Sequence, residues 1–311
     1  MLYVGIDTSN YATSLCAYSK KDGIVYHDKR MLPVAAGGLG LRQSDAVFEH
    51  TRALPLMMDK MAKSVELDSV EAVGVSTRPR SIEGSYMPCF LAGLSAASAF
   101  CAAAHAKRFE FSHQDGHLMA ALYSTPLYAE GIREFLAFHV SGGTTDAVLC
   151  SIVDGTCNVT PLATSLDAHA GQIIDRIGVK MGLPFPAGAQ ISELAAKSLS
   201  KQKLKPTLKD CDCCLSGLQN RCEALLASGE SEADVARYCL NSIAATIVEM
   251  TNALPPQRGE LPVIFAGGVM QSEVIRSYIS ARLTDVYFAS PAWLSADNAA
   301  GVAILASERE S

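Results

Sequence analysis

His113 and His117 stand four residues apart in the stretch "FSHQDGHLMAAL". On a helix that spacing puts both imidazoles on one face, where they can reach a single ion. Two neutral histidines hold a divalent transition metal only with a further ligand, most often a carboxylate. Gln114 takes the place where the helical zinc-protease motif carries its glutamate base, so peptidase chemistry of that kind has no base here. A pair that is merely solvated, or that caps a core, fits the same spacing. Spacing alone leaves both readings open.

Glycine turns offer a second kind of chemistry. "VSGGTTDA" sets Ser141, Gly142, Gly143, Thr144 and Thr145 after a buried strand. "FAGGVMQS" sets Gly267 and Gly268 ahead of a helix, and "LPFPAGA" sets Gly188 on a turn. Glycine lets backbone N–H groups approach an anion, hydroxyls add donors, and a helix N-terminus favours phosphate. One such turn is ordinary, whereas three in one chain point to a nucleotide site. In "SLDAHAGQIIDRIGVKMG" the buried stripe is Ile173, Ile174, Ile177 and Met181, and Asp175 lies off it. Its carboxylate suits ribose hydroxyls, an ion pair with Arg176 or Lys180, or water. Asp297 in "SADNAAG" stands where a helix cap belongs and gains chemical meaning as a third metal ligand. Cys211, Cys213, Cys214 and Cys222 lack the paired Cys-x-x-Cys spacing of a zinc knuckle. Five lysines between Lys197 and Lys209 read as a solvated face, with an RNA-backbone contact as the alternative.

Strands and helices must position these groups. "LYVGIDTSNYATSLCAYSKKDGIVYHDKR" reads as a three-strand meander with turns near Ser9–Asn10 and Lys20–Gly23. The pattern returns about 130 residues later, with turns at Ser141–Thr145 and Val153–Thr156, as in a duplicated lobe. Helices are expected from Ser44, as N-cap, to about Val65; from Pro88 through a run of small residues; from Val235 to Leu254; after the Gly267 turn; and in the tail near Asp297. Two α/β lobes follow, residues 1–125 and 134–311, joined by a linker at Ser124–Glu134, with the last helix able to pack back on the first lobe. A chain of 311 residues, 49% hydrophobic, can bury cores of that size. Its net charge of −6 argues against an obligate nucleic-acid coat protein but leaves room for a local basic patch. Cysteines in apolar stretches, such as Cys16, Cys89, Cys101, Cys150 and Cys239, read as reduced core. With no visible secretion signal and no membrane-length apolar run, the expectation is a cytoplasmic protein without membrane contact.

Taken in order, these segments resemble the TsaD family of tRNA threonylcarbamoyladenosine synthases, formerly called sialoglycoprotein endopeptidases. "GIDTSNYATSLC" is similar to the family's G-I-E-T-S-C-D-x-T opening, "HQDGH" to H-x-E-G-H, and "VSGGTTDAVL" to V-S-G-G-H-T-x-L. "DAHAGQIIDRIGVKMGLPFPAGA", "CCLSGLQ", "FAGGVMQSEVIR" and "SADNAAGVA" follow the family's later motifs, so that the likeness spans nearly the whole chain.

The resemblance implies an α/β fold of two actin-like lobes around a cleft, as in sugar kinases and actin. It implies an acyltransferase that moves a threonylcarbamoyl group from threonylcarbamoyl-adenylate to the anticodon-adjacent adenosine of tRNA. It implies one divalent metal, iron or zinc, on His113, His117 and Asp297. Val140, Ser141, Gly142 and Gly143 would cradle phosphate or carbamate of an adenylate or ATP-like ligand, and Asp175 and Gly188 would hold ribose and adenine. Ser272 stands where the family has a nucleotide-binding asparagine. TsaB-like and TsaE-like bacterial proteins are the implied partners, beside tRNA.

The chain departs from the pattern at several points. The family's acid after T-S-C falls at Tyr11, so no catalytic acid is assigned, and the acid beside it falls at Ala12. The histidine of S-G-G-H-T is Thr144, and the glutamate of H-x-E-G-H is Asp115. A longer loop, "TRPRSIEGSYMPC", puts Arg78 and Arg80 where glycines would sit. These departures also suit a diverged paralogue that serves as a nucleotide-binding or scaffold subunit, or carbamoyl transfer to another acceptor.

Overall fold

The structure, a computed structural model, describes residues 1–33, 41–255, 261–295 and 298–310. It divides into two compact units, Met1–Arg133 with Ile152–Asn158 and Trp293–Ser311, and Glu134–Ser151 with Val159–Ala292.

In the first unit, β1 (Leu2–Ser9), β2 (Ala12–Ser19) and β3 (Gly23–Met31) form an antiparallel meander. After α1 (Gln43–Ala62), β4 (Val70–Arg78) joins parallel to β1. After α2 (Phe90–Ala104), β5 (Lys107–Ser112) joins parallel to β4. The sheet order is β3-β2-β1-β4-β5. Alternation along the strands builds two faces. Val4, Ile6, Val73 and Val75 pack with Leu54, Met57 and Ala97 of α1 and α2. The small residues Gly5 and Gly74 face the C-terminal helix instead. With both faces covered, all eight residues of β2 are buried.

Helix α1 opens one residue before Ser44, on Arg42 as cap. Gln43 is occupied as a tie: its amide donates to Asn10 Oδ1 (2.5 Å) and its carbonyl accepts from the Cys89 N–H (3.2 Å). The stretch Ser124–Glu134 contains a short helix after α3 (His113–Tyr123), namely α4 (Pro126–Ala129).

The second unit repeats the strand order. β6 (Glu134–Val140), β7 (Thr145–Val153) and β8 (Thr156–Thr164) lead into α5 (Ala170–Lys180), α6 (Gly188–Ala196), the small ribbon β9 (Leu208–Lys209) and β10 (Asp212–Cys213), α7 (Ser216–Ala227) and α8 (Glu232–Ala253). Then come β11 (Val263–Ala266), α9 (Glu273–Ser280) and β12 (Val286–Phe288), giving the sheet β12-β11-β6-β7-β8. Phe138, Phe265 and Phe288 meet across three neighbouring strands, with ring centroids 5.3 and 5.4 Å apart. The chain closes with α10 (Ala292–Ser295) and α11 (Asn298–Arg309), and α11 belongs to the first unit. Among the described residues, no helix is long and apolar enough to cross a membrane.

Candidate functional site

The histidine pair lies at the start of α3. Ser112 caps the helix, its hydroxyl accepting from the Asp115 N–H (3.1 Å) while Asp115 Oδ2 accepts from the Ser112 N–H (2.8 Å). Asp115 also accepts from the Ser81 hydroxyl (3.0 Å). The acid in the middle of "HQDGH" is therefore committed to a capping box. That leaves the face carrying His113 and His117, whose ring centroids are 4.6 Å apart.

His113 is held from both nitrogens. Nδ1 lies 2.9 Å from Asp7 Oδ1, and Nε2 lies 3.2 Å from Asn298 Nδ2. Asp7 is buried in β1, and burial alone would raise its pKa. The adjacent His113, together with the hydroxyls of Ser76 and Ser9, outweighs that and holds the carboxyl below its usual range, so Asp7 is a carboxylate. It accepts the Nδ1–H, which leaves the imidazole lone pair on Nε2, where the Asn298 amide donates. Asn298 reaches this place because α3 and α11 cross at backbone contact. A Cβ on Gly301 would fall 1.8 Å from the Gly116 carbonyl oxygen, and one on Gly116 would fall 2.8 Å from that of Asn298. The glycine of "HQDGH" thus admits the C-terminal helix.

A carboxylate behind Nδ1, with the lone pair on Nε2, is the arrangement of a metal-binding histidine, and in this structure the Asn298 amide occupies that lone pair. Beside it, Asn298 Oδ1 is buried with no hydrogen-bond partner among the described residues. The donor chemistry fits a divalent transition ion. Asp297, the expected third ligand, lies outside the described residues, among which no three His, Cys, Asp or Glu side chains converge. The cysteine-rich segment forms no such group either: Cys213 and Cys222 are buried, and the Cys211 thiol donates to the Ala253 carbonyl (3.0 Å). Arg78 is turned onto its own loop, donating to Thr77 Oγ1 (3.2 Å) and Ser81 Oγ (3.5 Å).

The second unit holds a cavity of about 440 Å³, within the range of small-molecule sites. Ser141, Gly142, Asp175, Gly188 and Ser272 all line it. The β6–β7 turn is tight, with the Ser141 N–H donating to the Thr144 carbonyl (2.8 Å). Space beside Gly142 is open in the direction a side chain would take, while its backbone N and Cα lie against Gly171, where a Cβ would come within 2.6 and 2.7 Å of them. Gly267 adopts φ +100°, and a Cβ there would meet the Val140 carbonyl oxygen at 2.3 Å, so only glycine lets β11 turn away at this point. Ile174, Leu240 and Val269 provide apolar lining. Val140 is not part of the lining, because its side chain is in the core, and Gly143 is exposed further out on the turn. Among the described residues Asp175 forms no ion pair; its Oδ1 accepts from the Ala187 N–H (2.8 Å) and holds the turn before Gly188.

The TsaD profile, described as tRNA N6-adenosine threonylcarbamoyltransferase, matches residues 35–304. The chain belongs to the TsaD family. A tRNA N6-adenosine threonylcarbamoyltransferase of Bordetella petrii is 28% identical over 328 residues, covering 99% of this chain and 91% of the relative. Solved structures share the fold at low identity. The activator of 2-hydroxyisocaproyl-CoA dehydratase from Clostridium difficile, with bound ADPNP, superposes with a TM-score of 0.55 at 14% identity, covering 100% of this chain and 96% of that one. A ROK family protein from Streptococcus pneumoniae gives 0.55 at 9% identity, covering 100% and 99%. The chain shares the fold of these two proteins.

Against the family's motifs, several contributors escape a sequence reading. Asp7 has one signal, an acid inside an otherwise apolar strand. Asn298 has none beyond its place next to Asp297. Ser192 is paired with Ser272 (Oγ–Oγ 2.8 Å), so the serine at the family's asparagine position is backed by a second hydroxyl. Arg276 braces the turn 268–271 by donating to the Met270 carbonyl (2.6 Å) and to Gln271 Oε1 (2.7 Å), which sets Gln271 into the cavity wall.

Proposed function

We propose that the protein transfers a threonylcarbamoyl group from threonylcarbamoyl-adenylate to the exocyclic amine of the anticodon-adjacent adenosine of tRNA. The observation that carries this reading is the cavity that gathers Ser141, Gly142, Asp175, Gly188 and Ser272 in a chain of the TsaD family. The exposed turn at Gly142 brings glycine backbone and the Ser141 hydroxyl to the anionic part of the donor. The Ser192–Ser272 pair and Asp175 supply polar contacts for ribose and base, and Ile174, Leu240 and Val269 cover the adenine. The acceptor amine attacks the carbamoyl carbon, the bond to the adenylate oxygen breaks, AMP leaves with the bonding pair, and the amine proton passes to solvent. The protein acts by orientation and charge placement.

His113, His117 and Asp297 would hold a divalent ion, iron or zinc, which when bound would supply Lewis acidity. Asp7 fixes the tautomer and direction of His113. A cytoplasmic location and bacterial TsaB-like and TsaE-like partners go with the tRNA substrate.

A second reading is favoured by Tyr11 and Ala12, which stand where the family carries acids. Here the chain binds the nucleotide and scaffolds another member of the family. Incubating the full chain with threonylcarbamoyl-adenylate, unmodified tRNA and the partner proteins separates the two. Modified nucleoside by mass spectrometry is the expected result. Donor bound by the chain but no nucleoside formed would replace the first reading with the second.

A further inference from the structure

Residues 197–209 run from the end of α6 through β9. They hold five lysines and no carboxylate, in a chain whose net charge is −6. From 201 to 209 exposure alternates: Lys201, Lys203, Lys205 and Lys209 are exposed, while Gln202, Leu204, Pro206 and Leu208 are half-buried. Leu204 and Leu208 pack on the core of the second unit. The segment is tied at both ends. Ser198 donates to Asp234 and accepts from the Ser200 N–H (3.0 Å), and the Cys214 N–H donates to the Thr207 carbonyl (2.9 Å). Among the described residues, none of the four exposed lysine side chains forms an ion pair, hydrogen bond or cation–π contact, although Lys209 stands opposite Asp212 in the β9–β10 ribbon.

A lysine run is ordinarily a flexible solvated face. This one has the period of an extended strand, with its alternate side chains anchored in a core. Extended backbone advances about 3.3 Å per residue, so side chains two residues apart on such a backbone start about 7 Å apart. That interval is close to the separation of successive phosphates along one nucleic-acid strand. The like charges of Lys201, Lys203 and Lys205 repel one another, and a polyanion relieves the repulsion by releasing its own counterions. A bilayer is the poorer match. The leucines between the lysines turn inward, leaving a single exposed one, Leu199, for insertion.

We propose that Lys201, Lys203, Lys205 and Lys209 form a rail that binds the phosphodiester backbone of the RNA substrate without reading its sequence. The proposal rests on the tRNA reading above. The rail continues from Lys197, the C-cap of α6, and the N-terminal half of the same helix supplies Gly188, Ala189 and Ser192 to the cavity. A backbone held on the rail is thereby in fixed relation to the nucleotide pocket of the same unit.

The test uses the full chain with all four lysines changed to Gln, and a second variant with all four changed to Arg. Binding of unmodified tRNA is measured against salt concentration, and binding of AMP and thermal midpoint report the pocket and the fold. Each phosphate left without its lysine lowers the slope of log K against log salt by roughly 0.7–0.9. The Gln variant is expected to lose about 3 units of slope and at least tenfold in tRNA affinity, with AMP binding unchanged, while the Arg variant keeps the wild-type slope. Equal slopes for wild type and the Gln variant would remove the rail and leave the proposed function standing. A wild-type chain that fails to bind tRNA at all would remove both. Phosphatidylserine vesicles bound by wild type and released by the Gln variant, with an unchanged tRNA slope, would assign the lysines to a membrane and overturn the proposal.

Discussion

The two units share one strand order, yet their first hairpin turns are built to opposite ends. In the first unit the β1–β2 turn is fastened from every side. His50 Nε2 donates to the Ser9 carbonyl (2.9 Å), Gln43 holds Asn10, and the Leu32 N–H donates to the Tyr11 carbonyl (2.9 Å). In the second unit the corresponding β6–β7 turn is Ser141-Gly142-Gly143-Thr144, and open space lies beside both glycines. The closed turn presents side chains and serves as a brace. The open turn presents backbone and lines a cavity. Glycine has different uses in the two units as well. In the first it removes a side chain so that helices touch at Gly116 and Gly301. At Gly142 it leaves room for a ligand. A repeated architecture therefore does not carry a repeated function; the residues placed in equivalent turns decide it.

The largest test of this contrast is a pair of substitutions. Gly301→Val drives a branched side chain into the Gly116 carbonyl and should cost about 3 kcal/mol or more, measured by denaturant unfolding. Gly142→Ala has nothing to strike and should change stability by less than about 0.5 kcal/mol. Equal costs at the two positions would contradict the assignment of one glycine to packing and the other to access. The next test sharpens the metal reading of the first unit. Asp7→Ala removes the acceptor behind His113 and should weaken divalent-metal binding about 10- to 100-fold, by titration with the metal alone, while AMP binding in the second unit is unchanged. An unaltered metal affinity would detach Asp7 from that role.

The smallest effect is a pH dependence of the closed turn. Burial lowers the His50 pKa from its ordinary 6.5. The Ser9 carbonyl requires a proton on Nε2, so Nδ1 accepts from the Thr13 hydroxyl (2.7 Å), and the neutral ring satisfies both partners. The unfolded chain therefore takes up a proton before the folded one does. This contribution is absent well above pH 6.5 and reduces stability progressively as pH falls below it. Thermal midpoints between pH 7.5 and 5.5 should decline for the wild type and decline less for His50→Gln. Identical pH profiles would show that His50 does not titrate in this window.

Periodicity and turn residues made the elements legible. The two meanders, the small-residue helix after Pro88 and the glycine turn after β11 all follow from local pattern, because strand alternation, helix spacing and turn chemistry act within a few residues. The start of α1 escaped that reading: Gln43 is engaged with Asn10 and Cys89, contacts of long sequence separation that a capping rule does not see. Asp175 escaped it too, since its partner is the backbone N–H of Ala187 on the far side of a turn. The alternation of the lysine segment was present in the residues as Lys-Gln-Lys-Leu-Lys. Only the anchoring of Leu204 and Leu208 turned it from a charge run into an ordered edge.

The sequence by itself determined the family, the α/β elements and the residue types that could do chemistry, because each is written in short motifs and local periods. Tertiary structure alone decided which of those residues share a place. Asp7 and Asn298 meet His113 because backbone contact at Gly116 and Gly301 seats the last helix against α3. Ser141, Asp175, Gly188 and Ser272 meet because packing draws four separate segments of one unit around a cavity. Such meetings depend on distances across the fold, and no local rule of spacing encodes them.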